Sequence, residues 1–273
     1  MNQPRNKDGL TEKEFLASYK PKDYPRPSVT ADILVFAVND ELDKLKILLI
    51  KRKNHPYINC RALPGGFVDI NESCEDAAIR ELKEETGLEN IYLEQLCTVS
   101  KPDRDPRMRI ISVSYVALIN QSRVTPVAGD DSADAQWFEI ESPNSGEVVL
   151  KNNREVITYH YKNEIIKNGI VEQYIQQVND ENTGLAFDHA QLIHTGLCRL
   201  RSKAEYTPVL FGLMNNEFTL PELQKLYETV LGKSLYKANF RNSIKKYVEP
   251  TGVKKANNGL GRSPELYRYK GAE

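Results

Sequence analysis

The sequence predicts an α+β chain in two parts, a strand-rich sheet carrying one acidic helix and then a C-terminal winged-helix domain. From Ser28 onward, apolar β-prone runs (VTADILVFAV, LKILLIKR, RIISVSYVALI, AQWFEI) recur between turn formers. SCEDAAIRELKEET breaks that texture as a single helix. After Pro208 the order is helix, turn, helix and β-wing. A length of 273 residues fits one to two domains, and either can bury a sizeable core. The expected divisions are an N-terminal extension (1–26), a first domain with a bridging helix (27–200) and a winged helix-turn-helix domain (201–273).

Thr11 with Glu14 three residues later is a capping-box pattern, so a short helix precedes Pro21, Pro25 and Pro27. VTADILVFAV and LKILLIKR, separated by the polar NDELDK, predict a hairpin. LPGGFVDIN follows as a glycine-bearing loop. In the acidic helix Ser73 caps, Asp76 closes the box and Gly87 is the stop. IYLEQLCTVS, RIISVSYVALI and AQWFEI are further strands. Residues 152–180 show helical spacing at Val156, Tyr159, Ile165 and Ile166. LAFDHAQLIHTGLCRLRSKAEY predicts a bridging helix, with Leu185, His189, Leu192, Ile193, Leu197 and Leu200 recurring at the helical period.

Composition narrows the function. With 40% hydrophobic and 27% charged residues the chain is an ordinary globular one rather than a disordered one. No run approaches the roughly 20 apolar residues of a membrane span, and MNQPRNKDGL lacks the apolar core of a signal peptide. A cytoplasmic protein without a membrane partner is expected. Cys60, Cys74, Cys97 and Cys198 are far apart with no CxxC pair, and are expected as buried free thiols. The net charge of −1 hides an asymmetry: Gly232–Gly271 holds ten basic residues against Glu249 and Glu265, so that segment is +8 and the remainder −9.

The acidic helix carries the chemistry. At 100° per residue Glu81 and Glu85 lie about 40° apart on the wheel and Glu84 about 60° from Glu81, so three carboxylates crowd one face. Like charges four apart cost helix stability, roughly 0.2–0.5 kcal/mol per pair. Cys74, Ala77 and Ala78 share that face and are small, leaving space against the acids, while Ile79 and Leu82 are expected to point to a core. Mg²⁺ or Mn²⁺ suits such a face, because hard cations prefer carboxylate oxygens and recruit substrate phosphates.

Gly66, Glu72 and the run Arg80 to Leu88 (RELKEETGL) match the Nudix box at every defined position, and on these residues the chain resembles the Nudix superfamily. The resemblance implies an α/β/α sandwich around a mixed sheet. It implies metal coordination by Glu81, Glu84 and Glu85, with Gly66 offering a backbone carbonyl and Arg80 paired to Glu72 to hold the loop against the helix. The implied reaction is hydrolysis of a nucleoside diphosphate linked to another moiety, with Mg²⁺ or Mn²⁺ activating water. The general base is open among Glu81, Asp130, Asp131 and Asp134.

PSVTAD (27–32), LPGGFVD (63–69), DRDPRMRIISVSYVAL (103–118), GDDSADAQWF (129–138) and LAFDHAQLI (185–193) are similar to one subgroup. It holds ADP-ribose pyrophosphatases and the NrtR-type Nudix-related transcriptional regulators. Arg104, Arg107 and Arg109 in DRDPRMR, with Arg52, are candidate phosphate contacts, arginine being suited to bidentate pairing. Arg61 is a weaker candidate of the same kind. Tyr115 and Trp137 fit core positions better than base stacking, and His189 fits a packed histidine better than a ligand.

In the tail, Phe218, Leu220, Leu223, Leu226, Tyr227, Val230 and Leu231 would form the inner face of one helix, and Phe240, Ile244 and Tyr247 that of the next. Lys237, Asn239, Arg241, Asn242, Lys245 and Lys246 then face outward, as a major-groove recognition helix requires. Lys254, Lys255, Asn257, Asn258 and Arg262 supply a wing for phosphate or minor-groove contact. The expectation is a hydrolase of a nucleotide sugar such as ADP-ribose that also binds double-stranded DNA, as a homodimer. The alternative is an NrtR-type regulator of NAD or pentose metabolism whose first domain only senses ADP-ribose or a sugar metabolite.

Overall fold

The computed structural model describes the chain except residues 1–2, 23, 88–90, 121–134, 143–145, 166–170, 178–183, 256–262 and 272–273. A short helix α1 (Glu12–Ser18) carries the expected capping box at Thr11 and Glu14. The expected hairpin is present: β1 (Ser28–Val38) pairs antiparallel with β2 (Leu45–Lys51) through Phe36 and Ile47. The glycine-bearing stretch is not a plain loop, since β3 (Arg61–Ala62) adds to β2 and β4 (Gly65–Phe67) adds to β1. Then come α2 (Cys74–Thr86), β5 (Tyr92–Val99), β6 (Ile110–Asn120), β7 (Gln136–Glu141), β8 (Glu147–Lys151), β9 (Val156–Ile165) and β10 (Val171–Gln177). The sheet order is β10-β9-β8-β7-β2-β1-β6-β5. Only the β1–β6 pair is parallel among the ladders of this sheet, which makes it mixed.

The helical spacing expected at 152–180 is overturned, because β9 and β10 form an antiparallel pair there. In β9, Ile157 and Tyr159 are buried while Val156 and His160 are exposed, a period of two. Its β-branched and aromatic residues suit a pleated surface, and pairing with β8 settles the choice.

The central strand β1 is apolar from Ile33 to Val38 because both its faces are covered there. Ile33, Val35 and Ala37 pack with Ala77, Ala78 and Leu82 of α2 on one face. Leu34, Phe36 and Val38 pack on the other face with Leu192, Ile193 and Leu197 of α3 (His189–Tyr206). The result is a helix–sheet–helix sandwich. Two expectations about α2 are corrected. Ala77 and Ala78 are buried in this core rather than bordering space beside the acids, since small residues let the helix approach the sheet. Ile79 is 53% exposed and so does not point to the core, whereas Leu82 does.

The bridging helix runs past position 200 to Tyr206, followed by a 3₁₀ helix (Val209–Leu213). The tail holds α4 (Leu220–Leu231), α5 (Lys237–Ile244) and a three-stranded sheet in the order β11 (Phe218–Thr219), β13 (Glu265–Tyr269), β12 (Val248–Lys254). Leu223, Leu226, Val230, Phe240 and Ile244 belong to the same continuous cluster as Leu34 and Phe36. No helix among the described residues is long and apolar enough to cross a membrane.

Candidate active site

The acidic helix starts and stops where the sequence says. Ser73 Oγ accepts from the Asp76 N–H (3.1 Å), the Asp76 carboxylate accepts from the Ser73 N–H (3.3 Å), and Gly87 ends the helix at φ 71°. With α2 fixed by its apolar face, Arg80 is aimed back at the preceding loop. Its Nε and Nη2 grip both oxygens of Glu72 (3.1 and 2.7 Å), Nη2 also donates to the Phe67 carbonyl (3.0 Å), and Nη1 donates to Glu81 (2.7 Å) and Glu84 (3.3 Å). Glu72 and then Glu81 raise the Arg80 pKa, and Arg80 in turn holds the Glu72 carboxyl below its ordinary value.

Two glycines let the loop close on the helix. Gly65 has φ 149°, and a Cβ there would lie 2.1 Å from the Ala31 carbonyl oxygen. A Cβ on Gly66 would lie 2.1 Å from Glu81 Oε1. The Gly65 N–H donates to Glu85 Oε2 (2.9 Å). Burial pushes Glu85 up to about 8, against that hydrogen bond, and burial raises Glu81 as well. Glu84 differs, its side chain being 59% exposed.

These residues fit a divalent cation by their chemistry: two desolvated carboxylates whose charge is under-compensated, beside a backbone stripped of side chain at Gly66. Among the described residues no three His, Cys, Asp or Glu side chains converge as a preformed cage. Glu81 and Glu84 are instead held by Arg80, so a metal ion must compete with that guanidinium for them.

Glu85 and Gly66 border a cleft of about 270 Å³ that also takes in Arg52, Arg104, Arg107, Phe187 and His189. The four arginines singled out from sequence do not share one role. Arg104 is buried, its fork spent on Asp188 (2.8 and 2.7 Å) and on Asp32 (3.3 Å). Burial works against its charge, and Asp188 and Asp32 more than offset that. Arg107 pairs with Asp105 (2.8 Å) at the mouth. Arg52 donates through Nε to the Pro56 carbonyl (2.8 Å), and burial, then Arg107, pushes its pKa down. Arg109 does not border the cleft; it donates to the Lys101 carbonyl (3.1 Å).

The weaker candidates fall mostly as the residue types favoured. Arg61 is almost fully buried in a bidentate pair with Glu155 (2.9 and 2.6 Å). Tyr115 and Trp137 belong to the core under α2. His189 is packed, with Nδ1 accepting from the Leu63 N–H (2.9 Å), and burial lowers its pKa. The cysteines are free as expected, but Cys60 alone is buried, Cys198 lying on the outer side of α3. Asp130, Asp131 and Asp134 lie outside the described residues, as does Leu88. Sequence reasoning missed Asp32, Asp188 and Phe187; their only signal was membership of PSVTAD and LAFDHAQLI.

In the tail Leu223, Leu226, Tyr227, Val230, Phe240 and Ile244 are buried as expected, whereas Phe218 is buried on β11 rather than on the helix, and Leu220, Leu231 and Tyr247 are only partly buried. Lys237, Asn239, Arg241, Asn242, Lys245 and Lys246 are all exposed on or just after α5, and Lys254 and Lys255 are exposed at the wing. Lys246 lies over the Tyr247 ring (4.6 Å) and Lys255 pairs with Glu222. Arg262, Asn257 and Asn258 lie outside the described residues.

Residues 27–158 match the NUDIX domain and residues 210–269 the NrtR DNA-binding winged helix domain. The chain is 34% identical over 264 residues to the ADPR responsive transcriptional repressor NtrR of Acinetobacter baylyi, covering 95% of this chain and 88% of that protein. It is 42% identical over 119 residues to an ADP-ribose pyrophosphatase of Methanocaldococcus jannaschii, covering 44% of this chain and 66% of that protein. The crystal structure of Shewanella oneidensis NrtR complexed with a 27mer DNA superimposes with a TM-score of 0.65 at 31% identity, over 89% of this chain and 93% of that one. Nudix hydrolases use divalent metal ions, in keeping with the carboxylates of α2. The chain belongs to the Nudix superfamily, in the branch that joins a Nudix domain to an NrtR-type DNA-binding winged helix.

Proposed function

We propose that this protein is a Mg²⁺- or Mn²⁺-dependent hydrolase of a nucleoside diphosphate-linked substrate, most simply ADP-ribose, that also binds operator DNA through its winged helix. The observation that carries the reading is the intact acidic corner: Glu85 desolvated against the Gly65 N–H, with Arg80 latched to Glu72 and Glu81. The likeness to an ADP-ribose pyrophosphatase supports the substrate class. When bound, the metal supplies an activated water and neutralises pyrophosphate charge. Glu81, Glu84 and Glu85, with the Gly66 carbonyl, are the residues to hold it. Arg80 and Glu72 act by fixing the loop that carries Gly66. Arg52, and Arg107 with its Asp105 partner, are the arginines at the cleft placed to meet phosphate, whereas Arg104 is committed to Asp188 and Asp32.

Product chromatography with ADP-ribose and Mg²⁺, comparing wild type with Glu85→Gln, tests the hydrolase. Turnover that survives the substitution, or no turnover by the wild type, rejects it.

A second reading has its own support: α4 and α5 share one core with the Nudix sheet, and α3 begins at the cleft, so ligand occupancy can bias the DNA-binding part. The likeness to an ADP-ribose-responsive repressor points the same way. On this reading Lys237, Asn239, Arg241, Asn242, Lys245 and Lys246 meet the major groove and Lys254, Lys255 and Arg262 the backbone. Two half-sites call for a homodimer, acting in the cytoplasm where its DNA lies. A mobility shift with DNA upstream of the protein's own operon, with and without ADP-ribose, tests it. A shift that ADP-ribose leaves unchanged rejects sensing.

A further inference from the structure

Phe187 stands in the cleft in a conformation that bulky residues rarely adopt, at φ 52°. Tyr57, itself at φ 59°, meets it edge to face with the ring centroids 4.8 Å apart. Over the Phe187 ring come two cations: the guanidinium carbon of Arg52 at 4.9 Å from the centroid and that of Arg107 at 5.8 Å. Backbone strain of this kind persists only where surroundings over-determine it, and it concentrates at functional sites.

Asp105 answers the charge of Arg107. Arg52 is half-buried, and among the described residues no carboxylate pairs with it. Arg107, 41% exposed and paired with Asp105, still repels the more buried Arg52 beside it on the ring. The negative face of the ring offsets part of that repulsion while no ligand is bound, and an anion offsets the rest when one arrives.

We infer that Phe187 is a positioning residue whose ring holds Arg52 and Arg107 together as a ready-made clamp for a diphosphate group. This rests on reading the cleft as a phosphate site. The clamp faces the same cleft as Glu85, so the diphosphate lies between the arginines and the acidic corner. Pre-placing the two guanidinium groups, that of Arg107 already held by Asp105 through Nε and Nη2, reduces the ordering cost of binding, which is where affinity is gained without new contacts. The ring therefore acts on affinity rather than on the chemical step.

The test uses the full-length protein and inorganic pyrophosphate as the probe, titrated calorimetrically with and without Mg²⁺. F187L removes the ring and keeps an apolar side chain; F187Y keeps the ring. Expected is a loss of pyrophosphate affinity of roughly fivefold to thirtyfold for F187L, the equivalent of two cation–π contacts, with F187Y within about twofold of wild type. On ADP-ribose, KM rises by a similar factor while kcat holds. Should F187L fail to fold, R52K keeps the charge, loses the stacked fork and is expected to lose affinity likewise. Wild-type affinity in F187L or R52K overturns the inference, as does F187Y falling as far as F187L, or a wild type that does not bind pyrophosphate. A wild type that binds pyrophosphate through the ring but does not hydrolyse ADP-ribose rejects the hydrolase and leaves the clamp standing.

Discussion

Replacing Asp188 by alanine should destabilise the fold far more than an exposed carboxylate would. Its partner Arg104 has a side chain only 5% exposed, and Asp188 itself is 18% exposed, so the pair is shielded from water. Two of the Arg104 contacts go to Asp188, at 2.8 and 2.7 Å, and only one, at 3.3 Å, goes to Asp32. That second carboxylate already accepts from the Ser112 hydroxyl. The substitution therefore strands most of a buried guanidinium. Breaking such a pair costs roughly 3–5 kcal/mol, and the surviving Asp32 contact places the expected loss at about 3 kcal/mol. No helix cap is lost as well, because the Asp188 side chain makes no capping bond to α3. Urea denaturation at neutral pH measures the loss directly, and a melting point lowered by roughly 6–12 °C accompanies it. A loss below about 1 kcal/mol would equal that of a surface ion pair and refute the assignment of Arg104 to a structural role.

Gly66→Ala sets a methyl 2.1 Å from Glu81 Oε1, so it should lower metal-dependent turnover by about tenfold to a hundredfold with little change in melting point; unchanged turnover sinks the idea that Gly66 makes room for Glu81. His189 has its pKa lowered by burial, so below about 6.5 the unfolded chain takes up a proton that the folded one resists. Its contribution to stability is thus intact above that pH and is lost as pH falls below it. His189→Gln should flatten the decline in urea midpoint between pH 7.5 and 5.5, and parallel slopes for the two proteins would refute this. In DNA binding, Arg241→Ala and Lys245→Ala should each reduce the slope of log affinity against log salt by about 1 if they meet phosphates. Mobility shifts across a salt series measure this, and slopes equal to wild type remove those side chains from the interface.

What was legible in the sequence was what neighbours along the chain decide. Ser73, Asp76 and Gly87 fix the ends of α2 by bonds within a few residues, and the 3.6-residue period then aligns Arg80, Glu81 and Glu85. The outward set on α5 was legible for the same reason, since Phe240 and Ile244 fix which side is buried. The stretch 152–180 was not, because Val156 and Tyr159 can be spaced for a helix while the deciding partner, β8, pairs from another strand. Arg104 shows the same limit more sharply. In DRDPRMR it is one arginine among three, and its commitment to Asp188 depends on a residue 84 positions away. Phe187 was invisible because its conformation and its two cations arise only when three separate segments meet.

The single apolar cluster running from Leu34 and Phe36 through α3 to Leu223, Val230 and Phe240 limits how this protein can be taken apart. The winged helix is not a detachable reader on a tether. Cut out alone, it would expose the inner side of α4, and a chimaera that grafts it onto another Nudix domain must bring a matching α3 surface with it. Changes confined to the outward side chains of α5, by contrast, leave this shared core intact.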